Sequence, residues 1–252
     1  MAPHPFLDTA GPVAIAHRGG ASDWPENSLA AFQHAVSLGY RYLETDVHVT
    51  ADGVLVAFHD SELDRVTDGS GRIEELRWDE VAQVQLGADQ RIITFDELMS
   101  ALPQARVNID PKSDAAVEPL AAALERHDAL DRVCVGSFSD ARLARLHARF
   151  GERICLSMGP RETLRLRLSS WGLPLRRFRA RCAQVPIRQS GVPIVDGRFV
   201  RRAHQLGLKV HVWTIDEPAT MHRLLDLGVD GIMTDRPEAL ASVFDERGLP
   251  LG

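Results

Sequence analysis

The sequence lacks any run of about 18 apolar residues, the length that a helix needs to cross a bilayer. Its start, MAPHPFLDTAGPVAIAHRGG, has neither a basic opening nor an apolar stretch long enough for a secretory signal. An excess of basic residues is also missing, because the formal net charge is −6, and this argues against a nucleic-acid partner. These absences predict a cytoplasmic protein with no transmembrane segment and no nucleic-acid ligand.

Cysteine is scarce as well, with three in 252 residues. Cys134, Cys155 and Cys182 lie far apart in the chain, each among apolar residues, and none belongs to a Cys-x-x-Cys pair. An odd number of isolated cysteines predicts buried free thiols in a reducing compartment rather than a disulfide framework.

Short β-prone runs alternate with amphipathic helical patterns along most of the chain. The runs cover residues 13–16, 40–47, 107–110, 133–138, 154–157, 182–186, 209–214 and 231–235. This alternation predicts βαβ units in a parallel sheet, and eight is the number of strands that closes a β/α barrel. We therefore predict a TIM-type (β/α)8 barrel forming a single domain over residues 1–252, with an insertion over about 60–95.

The second run and the segment after it carry polar residues where a strand core is expected. An Asp-Gly step at 52–53, flanked by alternating apolar residues, is a strong hairpin signal. Glu44 and Asp46 are two residues apart, so they face the same side of the strand. A two-residue turn would place Asp46 opposite His59, and a three-residue loop would shift this pairing by one. Either register returns His59 to the carboxylates.

Charged residues and one tryptophan also lie at the ends of other predicted strands. They are His17 and Arg18 after the first strand, Asp110 and Lys112 at the third, Trp213 at the seventh and Asp235 at the eighth. The active groups of a parallel barrel gather at the carboxyl ends of its strands. We therefore expect these side chains to meet Glu44 and Asp46 at one rim.

Besides Asp235, three of these residues are carboxylates. Neighbouring like charges are costly unless a cation offsets them, and carboxylate oxygens suit hard cations such as Mg²⁺ or Ca²⁺. The pattern therefore predicts Glu44, Asp46 and Asp110 as ligands of one divalent cation.

The remaining rim residues fit chemistry on a phosphate. Arg18 and Lys112 supply positive charge for its oxygens, and the glycines after Arg18 would let the backbone approach a ligand closely. His17 and His59 titrate near neutral pH and suit a general acid and base pair. Together with a metal, these groups predict cleavage of a phosphodiester.

Two nearby residues have a plainer interpretation. Asp235 precedes Arg-Pro-Glu, a helix-start pattern, so we expect it to cap a helix rather than to bind a ligand. His48 shares the parity of Glu44 and Asp46 but lies farther along the hairpin, so we expect it to face solvent.

The segment 161–181, RETLRLRLSSWGLPLRRFRAR, is rich in arginine. A basic amphipathic helix can bind a membrane surface. The Gly-Leu-Pro interruption and the acidic character of the whole chain favour a solvated outer helix of the barrel instead.

Several motifs occur together and in a fixed order from about residue 13 to 240. They are AHRGG, PENSLAAFQHAVSLG, ETDVHVTADGVLVAFHD, LDRVTDGSG, VWTID and GIMTDRP. With them the chain closely resembles the glycerophosphodiester phosphodiesterases. The resemblance implies a TIM-type barrel that uses a divalent metal to hydrolyse a small-molecule glycerophosphodiester to glycerol 3-phosphate and an alcohol.

The resemblance also assigns roles by motif position. It implies that His17 and His59 are the acid and base, that Glu44 and Asp46 bind the metal, that Arg18 and Lys112 contact the phosphate, and that Trp213 lines the substrate pocket. Two positions depart from the family pattern. Asp110 stands where the family usually has Glu, and Asp216 stands where it often has Asn, which would change the polarity of the pocket and the preferred alcohol.

Two other functions compete with this one. The same site could release head groups from lysophospholipids, and segment 161–181 would then contact lipid. A barrel that binds a phosphodiester without turnover would be expected to lack a histidine or a carboxylate, whereas both histidines and all three acids are present here.

Overall fold

The structure, a computed structural model, describes residues 4–251. Its strands are β1 (Val13–Ala16), β2 (Tyr42–Val49), β3 (Leu55–Ala57), β4 (Gln85–Leu86), β5 (Gln90–Arg91), β6 (Arg106–Pro111), β7 (Val133–Val135), β8 (Cys155–Leu156), β9 (Cys182–Pro186), β10 (Arg188–Gln189), β11 (Val192–Pro193), β12 (Lys209–Trp213) and β13 (Gly231–Thr234). Its α-helices are α1 (Leu29–Ser37), α2 (Trp78–Val81), α3 (Phe95–Ala101), α4 (Val117–Arg126), α5 (Asp140–Phe150), α6 (Pro160–Ser170), α7 (Gly197–Gln205), α8 (Pro218–Asp226) and α9 (Pro237–Glu246).

Local sequence signals account for where several helices begin. The hydroxyls of Ser28 and Ser139 accept hydrogen bonds from the first turns of α1 and α5, and Asp196 does the same for α7. Thr94 forms a capping box with Glu97 at the start of α3. These side chains satisfy amide groups that have no partner inside the helix.

Eight parallel strands form a nearly closed barrel, as predicted. Neighbours follow the order β8-β7-β6-β2-β1-β13-β12-β9, with β3 paired to β2 in an antiparallel hairpin. The two end strands meet where Ser157 bridges to Cys182, and the amide of Arg181 donates to the carbonyl of Leu156 at 3.0 Å. Each barrel strand is followed by helix, so the apolar outer face of the sheet is covered.

The interior of the barrel holds an apolar cluster near the amino ends of the strands. Its members are Phe6, Leu7, Val13, Ile15, Tyr42, Cys134, Cys155, Cys182 and Met233. The three cysteines are free and buried, as predicted. Neighbouring strands bring their sulfur atoms within 4.8 Å of one another, although the residues are distant in sequence.

The segment between β3 and α3 adds a small unit beside the barrel. It contains α2 and the short β4–β5 pair, and it has its own apolar cluster, which includes Val56, Phe58 and Leu63. The predicted insertion over about residues 60–95 corresponds to this unit. Among residues 4–251, no helix is long and apolar enough to cross a membrane.

Candidate active site

One pocket at the carboxyl ends of the barrel strands contains all eight residues that the sequence singled out. They are His17, Arg18, Glu44, Asp46, His59, Asp110, Lys112 and Trp213. They come from β1, β2, β6, β12 and the hairpin strand that returns beside β2. Inward-facing positions of separate strands therefore converge on one volume, as the barrel geometry requires.

His17 is fixed by two carboxylates. Its Nδ1 lies 2.7 Å from Oδ1 of Asp235, and its Nε2 lies 3.7 Å from Oε2 of Glu44. Burial acts to lower the pKa of His17, but the charges of Glu44 and Asp235 outweigh it, so the pKa is raised. The ring is held in one orientation with Nε2 directed towards the carboxylates of the pocket.

The expectation that Asp235 caps a helix is wrong. Helix α9 begins after Arg236, and no side chain caps it. Asp235 instead bonds to His17, and its amide donates to Oδ1 of Asp216 at 2.8 Å. The same oxygen of Asp216 accepts a hydrogen bond from the hydroxyl of Thr234. Asp216 thus supports Asp235 and is not among the residues that line the pocket.

His59 has a carboxylate partner of its own. Its Nδ1 lies 2.5 Å from Oδ1 of Asp60, and the other oxygen of Asp60 accepts a hydrogen bond from Arg65. Burial would raise the pKa of Asp60, but Arg65 and His59 outweigh it and lower the pKa to about 2. Arg65 also binds Glu26, which binds Arg18, so a chain of ion pairs links the surroundings of the two histidines.

The hairpin has a three-residue loop, so its register is shifted by one from the two-residue alternative. Val47 pairs with Ala57, and the amide of Phe58 donates to the carbonyl of Asp46. His59 therefore lies just past Asp46 and still reaches the pocket.

The expectation that His48 faces solvent is wrong. It is 6% exposed, and its Nε2 lies 3.1 Å from the carbonyl oxygen of His59. Burial lowers the pKa of His48, and its Nε2 can donate a hydrogen bond to this carbonyl oxygen. His48 positions the backbone of His59. The strand is covered on both faces here, because the insertion packs over the hairpin.

The glycines after Arg18 pack against other parts of the chain and do not contact the pocket, contrary to the expectation that they approach a ligand. A Cβ on Gly19 would lie 2.8 Å from Cβ of Ala31, and one on Gly20 would lie 2.6 Å from Cγ of Pro237. Both glycines have positive φ angles and lie outside the pocket lining. They permit a tight turn in which Arg18, with φ of 52°, directs its amide to Glu44.

The carboxylates of β2 and β6 lie side by side around one lysine. Asp46 and Asp110 are register partners, and Lys112 Nζ lies 2.7 Å from Oδ1 of Asp46 and 2.8 Å from Oδ2 of Asp110. Burial, followed by the charge of Asp46, raises the pKa of Glu44 to about 7. Burial also raises the pKa of Asp110, whereas Lys112 and Arg18 hold that of Asp46 low despite its burial. The single positive charge of Lys112 is therefore too small to neutralise the three carboxylates around it.

Unsatisfied oxygen atoms mark where a cation fits. Asp110 and Asn108 both line the pocket. The Oδ1 atom of each is buried and has no hydrogen-bond partner. Together with Glu44 and Asp46 they form an oxygen-only donor set suited to a hard cation. The carboxylates do not bring three ligand atoms within 4.8 Å of one another. Within residues 4–251, only the thiols of Cys134, Cys155 and Cys182 form a group that close.

Asn108 was missed by the sequence reasoning. It lines the pocket, and it is the register partner of Glu44. The signal was available, because Asn108, Asp110 and Lys112 alternate along one strand and must share a face.

The other side of the pocket is apolar. Trp213 meets Phe138 edge to face, with ring centroids 5.8 Å apart, and Phe138 is 60% exposed at the mouth. Met158, Pro160 and Pro186 extend this wall. The pocket thus offers a charged side for a phosphate and an apolar side for part of a ligand.

The carboxyl rim of this β/α barrel carries two histidines, an arginine, a lysine and several carboxylates. This combination is typical of barrel hydrolases that act on phosphoric diesters. Residues 17–239 match the glycerophosphoryl diester phosphodiesterase family. This match covers most of the chain, and the chain belongs to that family.

Known relatives cover almost the whole chain. A probable glycerophosphodiester phosphodiesterase 2 of Mycobacterium tuberculosis is 44% identical over 250 residues, which are 96% of this chain and 94% of the relative. A lysophospholipase D of Rattus norvegicus is 26% identical over 90% of this chain and 84% of its own length.

Solved structures share the fold. A putative glycerophosphoryl diester phosphodiesterase of Silicibacter pomeroyi has a TM-score of 0.83 and 23% identity, with 99% of this chain and 100% of that chain covered. An Oleispira antarctica phosphodiesterase, solved with the product sn-glycerol-3-phosphate, has a TM-score of 0.78 and 25% identity, with coverage of 93% and 97%.

Proposed function

We propose that this protein hydrolyses glycerophosphodiesters to glycerol 3-phosphate and an alcohol with the help of one divalent cation, Mg²⁺ or Ca²⁺. The observation that carries the proposal is the pair of histidines in one pocket, each held by its own carboxylate and accompanied by two cationic side chains. The probable phosphodiesterase from M. tuberculosis and the product-bound neighbour from O. antarctica support the same substrate class.

Arg18 and Lys112 would bind the phosphate. The buried Nε of Arg18 makes no hydrogen bond, although it lies 3.3 Å from Oδ2 of Asp46, so a donor is available to an anion. Lys112 already lies between Asp46 and Asp110, and its ammonium can turn one donor to a phosphoryl oxygen. Such preorganised donors stabilise the charge that develops in the transition state.

His17 and His59 would act as general base and general acid. In each ring Nδ1 is bonded to a carboxylate, so Nε2 is the nitrogen left to exchange a proton with the substrate. One histidine would take a proton from the attacking oxygen, and the other would protonate the leaving alcohol. The carboxylates stabilise the positive charge that forms on each ring, as a carboxylate does for the histidine of a hydrolytic triad.

Glu44, Asp46 and Asp110 would hold the cation, with Asn108 as an additional oxygen donor. Members of this family generally depend on a divalent metal. When bound, such a cation supplies positive charge beside the phosphoryl and attacking oxygens. Aspartate at position 110 is one methylene shorter than the usual glutamate, and the unsatisfied oxygen of Asn108 could make up the missing ligand.

The attacking oxygen would be the C2 hydroxyl of the substrate's own glycerol. Ser137 and Ser157 line the pocket, but their hydroxyls accept hydrogen bonds from backbone amides, and neither bonds to His17 or His59. Intramolecular attack gains from proximity. A cyclic 1,2-phosphate would form as the alcohol leaves, and water would then open it while the two histidines exchange roles.

A C2-deoxy substrate tests this step. The deoxy analogue should bind with similar affinity and turn over very slowly. Hydrolysis of the analogue at a rate near that of the parent would show that water attacks the phosphorus directly.

The overall proposal is tested by assaying the metal-reconstituted protein against a panel of glycerophosphodiesters, with coupled detection of glycerol 3-phosphate. Release of glycerol 3-phosphate from at least one diester is expected. Its absence across the panel would contradict the proposal.

A second function is release of the head group from lysophospholipids. The exposed Phe138 and the apolar wall behind it could take the start of an acyl chain, and a lysophospholipase D is among the relatives. Comparing turnover of soluble diesters with turnover of lysophospholipid micelles separates the two functions.

A further inference from the structure

Positive charge is concentrated in one part of this acidic protein. Residues 160–205 contain eleven arginines and two acidic residues, a net charge of +9. Because the whole chain has a net charge of −6, the remaining residues together carry −15. The segment includes α6, α7 and the connection between them. Charge separation on this scale within one chain creates a field that attracts anions to one face.

Most of these arginines have no acidic partner. Arg161, Arg167 and Arg181 form ion pairs, with the buried Arg167 lying 2.6 Å from Asp196. The guanidinium groups of the other eight form no ion pair within 4.0 Å among residues 4–251. Their charge is therefore available to a ligand.

Four of the unpaired arginines line one groove between α7 and the end of α6. Arg198, Arg201 and Arg202 form a stripe along α7, because their spacing places them on one helical face, and Arg176, in the connection after α6, lines the same groove. We call this the arginine groove. Ser169, Ser170 and Leu173 also line it.

Large apolar side chains stand exposed beside the arginine groove. Trp171 is 51% exposed and Leu173 is 45% exposed. Their loop is held in place: the Arg167 guanidinium lies over the Trp171 ring at 4.6 Å, and Arg202 Nε donates to Ser169 Oγ at 2.8 Å. Gly172, with φ of 108°, permits the turn between the two apolar residues.

We propose that the arginine groove and the Trp171–Leu173 loop form a docking surface for anionic phospholipid membranes. Arginines would bind the lipid phosphates, while Trp171 and Leu173 would enter the boundary between head groups and acyl chains. Aromatic and aliphatic residues flanked by basic ones are the pattern of surfaces that lie on a membrane without crossing it. A nucleic acid or a hydrophilic protein would leave Trp171 and Leu173 without an apolar partner.

Docking of this kind leaves the catalytic pocket open. Pro160 and Thr163, in the first turn of α6, line the pocket, whereas Ser169 and Ser170, in its last turn, line the arginine groove. At a rise of about 1.5 Å per residue, Thr163 and Ser169 are about 9 Å apart along the helix, and Pro160 and Ser170 are about 15 Å apart. The protein would thus be held at a membrane while its pocket remains accessible to soluble diesters.

The test is co-sedimentation of the full chain with vesicles of phosphatidylcholine, with and without phosphatidylglycerol. We expect binding to the anionic vesicles alone, weakened by added salt. Each arginine near an anionic surface contributes about fivefold to partitioning, so Arg176→Glu with Arg201→Glu should weaken it by at least about 25-fold.

Arg41→Glu with Arg223→Glu is the matched control. Both arginines are exposed, have no ion-pair partner among the described residues and lie outside residues 160–205. The control carries the same charge change and should retain most of the binding. Thermal unfolding and turnover of a soluble diester check that both variants are folded. If the reversals unfold the chain, Arg176→Gln with Arg201→Gln carries the same test.

Trp171 provides a direct reporter. Its fluorescence, taken as the difference between the wild type and Trp171→Phe, should shift to shorter wavelength when anionic vesicles are added. Equal binding to neutral and anionic vesicles, or equal losses in the groove variant and the control, would overturn the proposal. Binding of an RNA oligonucleotide in place of vesicles would overturn it as well.

Discussion

The two ends of the barrel interior are built by the same strands and carry opposite chemistry. On β2, Tyr42 packs edge to face on Phe6 at the amino end, whereas Glu44 and Asp46 line the pocket at the carboxyl end. Likewise, Cys134 on β7 lies in the apolar cluster, and Gly136, just after the end of β7, lines the pocket. Two residues along a strand therefore separate a position that can stabilise the fold from one that can perform chemistry.

The comparison teaches why the charged end can exist. The amino end contributes ordinary apolar burial, and helices around the whole barrel add more. At the carboxyl end Glu44 and Asp46 are buried and Asp110 is partly buried, with too little positive charge nearby, a cost that the rest of the fold must offset. Changes at one end should therefore alter activity, and changes at the other should alter stability.

Removing divalent cations should have the largest effect. It should change turnover at the carboxyl end of the barrel and leave the amino end unaffected. Exhaustive chelation is expected to abolish turnover, because three carboxylates and a substrate phosphate would face only Arg18 and Lys112. Mg²⁺ or Ca²⁺ should restore it, and Asp110→Asn should raise the metal concentration needed for half-activity. Full turnover after chelation would show that the reaction needs no divalent cation. An unchanged metal requirement in Asp110→Asn would show that Asp110 is not a ligand.

Replacing either histidine of the pocket should have the next largest effect. His17→Ala and His59→Ala are each expected to lower kcat by about 10²–10⁴-fold, the usual contribution of a positioned acid or base. Steady-state kinetics with a soluble diester gives the values. His147→Ala, on the outer helix α5, is the control and should leave kcat unchanged. A pocket variant with near wild-type kcat would show that its histidine has another role.

Loosening the orientation of His17 should have a smaller effect. Asp235→Asn is expected to lower kcat by about 10–100-fold with little change in KM, because the amide can hold the ring but stabilises its charged form less. Glu238→Gln, on the outer helix α9, changes a carboxylate that bonds to His34 instead and serves as the control. A change confined to KM would indicate that Asp235 contacts the substrate.

The smallest effect is expected at the amino end. Cys134→Ala should lower the free energy of unfolding by about 1 kcal/mol, because it leaves a small cavity in a closely packed interior. The melting temperature should then fall by about 2–4 °C, measured by calorimetry, while kcat/KM stays the same. A loss of activity without a loss of stability would mean that the two ends are not independent.

Local periodicity made the barrel and most of its rim predictable. The eight strands and the convergence of His17 with the carboxylates follow from alternation and strand ends, which depend on near neighbours in sequence. The partners that orient the histidines were harder to predict. Asp235 lies 218 residues from His17, and only the pairing of β1 with β13 brings them together.

His48 and Gly19 show a related limit. His48 is buried because the insertion packs over the hairpin, and Gly19 is required because α1 approaches the turn after β1. Neither packing arrangement leaves a periodic signal in the sequence. The resemblance to a family supplied the roles of the residues, whereas the structure identified what holds them in place.

Release of glycerol 3-phosphate by the double variant His17→Ala/His59→Ala, compared with each single variant, tests the central claim most directly. If the two histidines act as one acid and base pair, the double variant should be about as slow as the slower single variant, because residues that act as a unit fail together. A double variant slower by the product of the two single effects would contradict this account, since the histidines would then contribute independently.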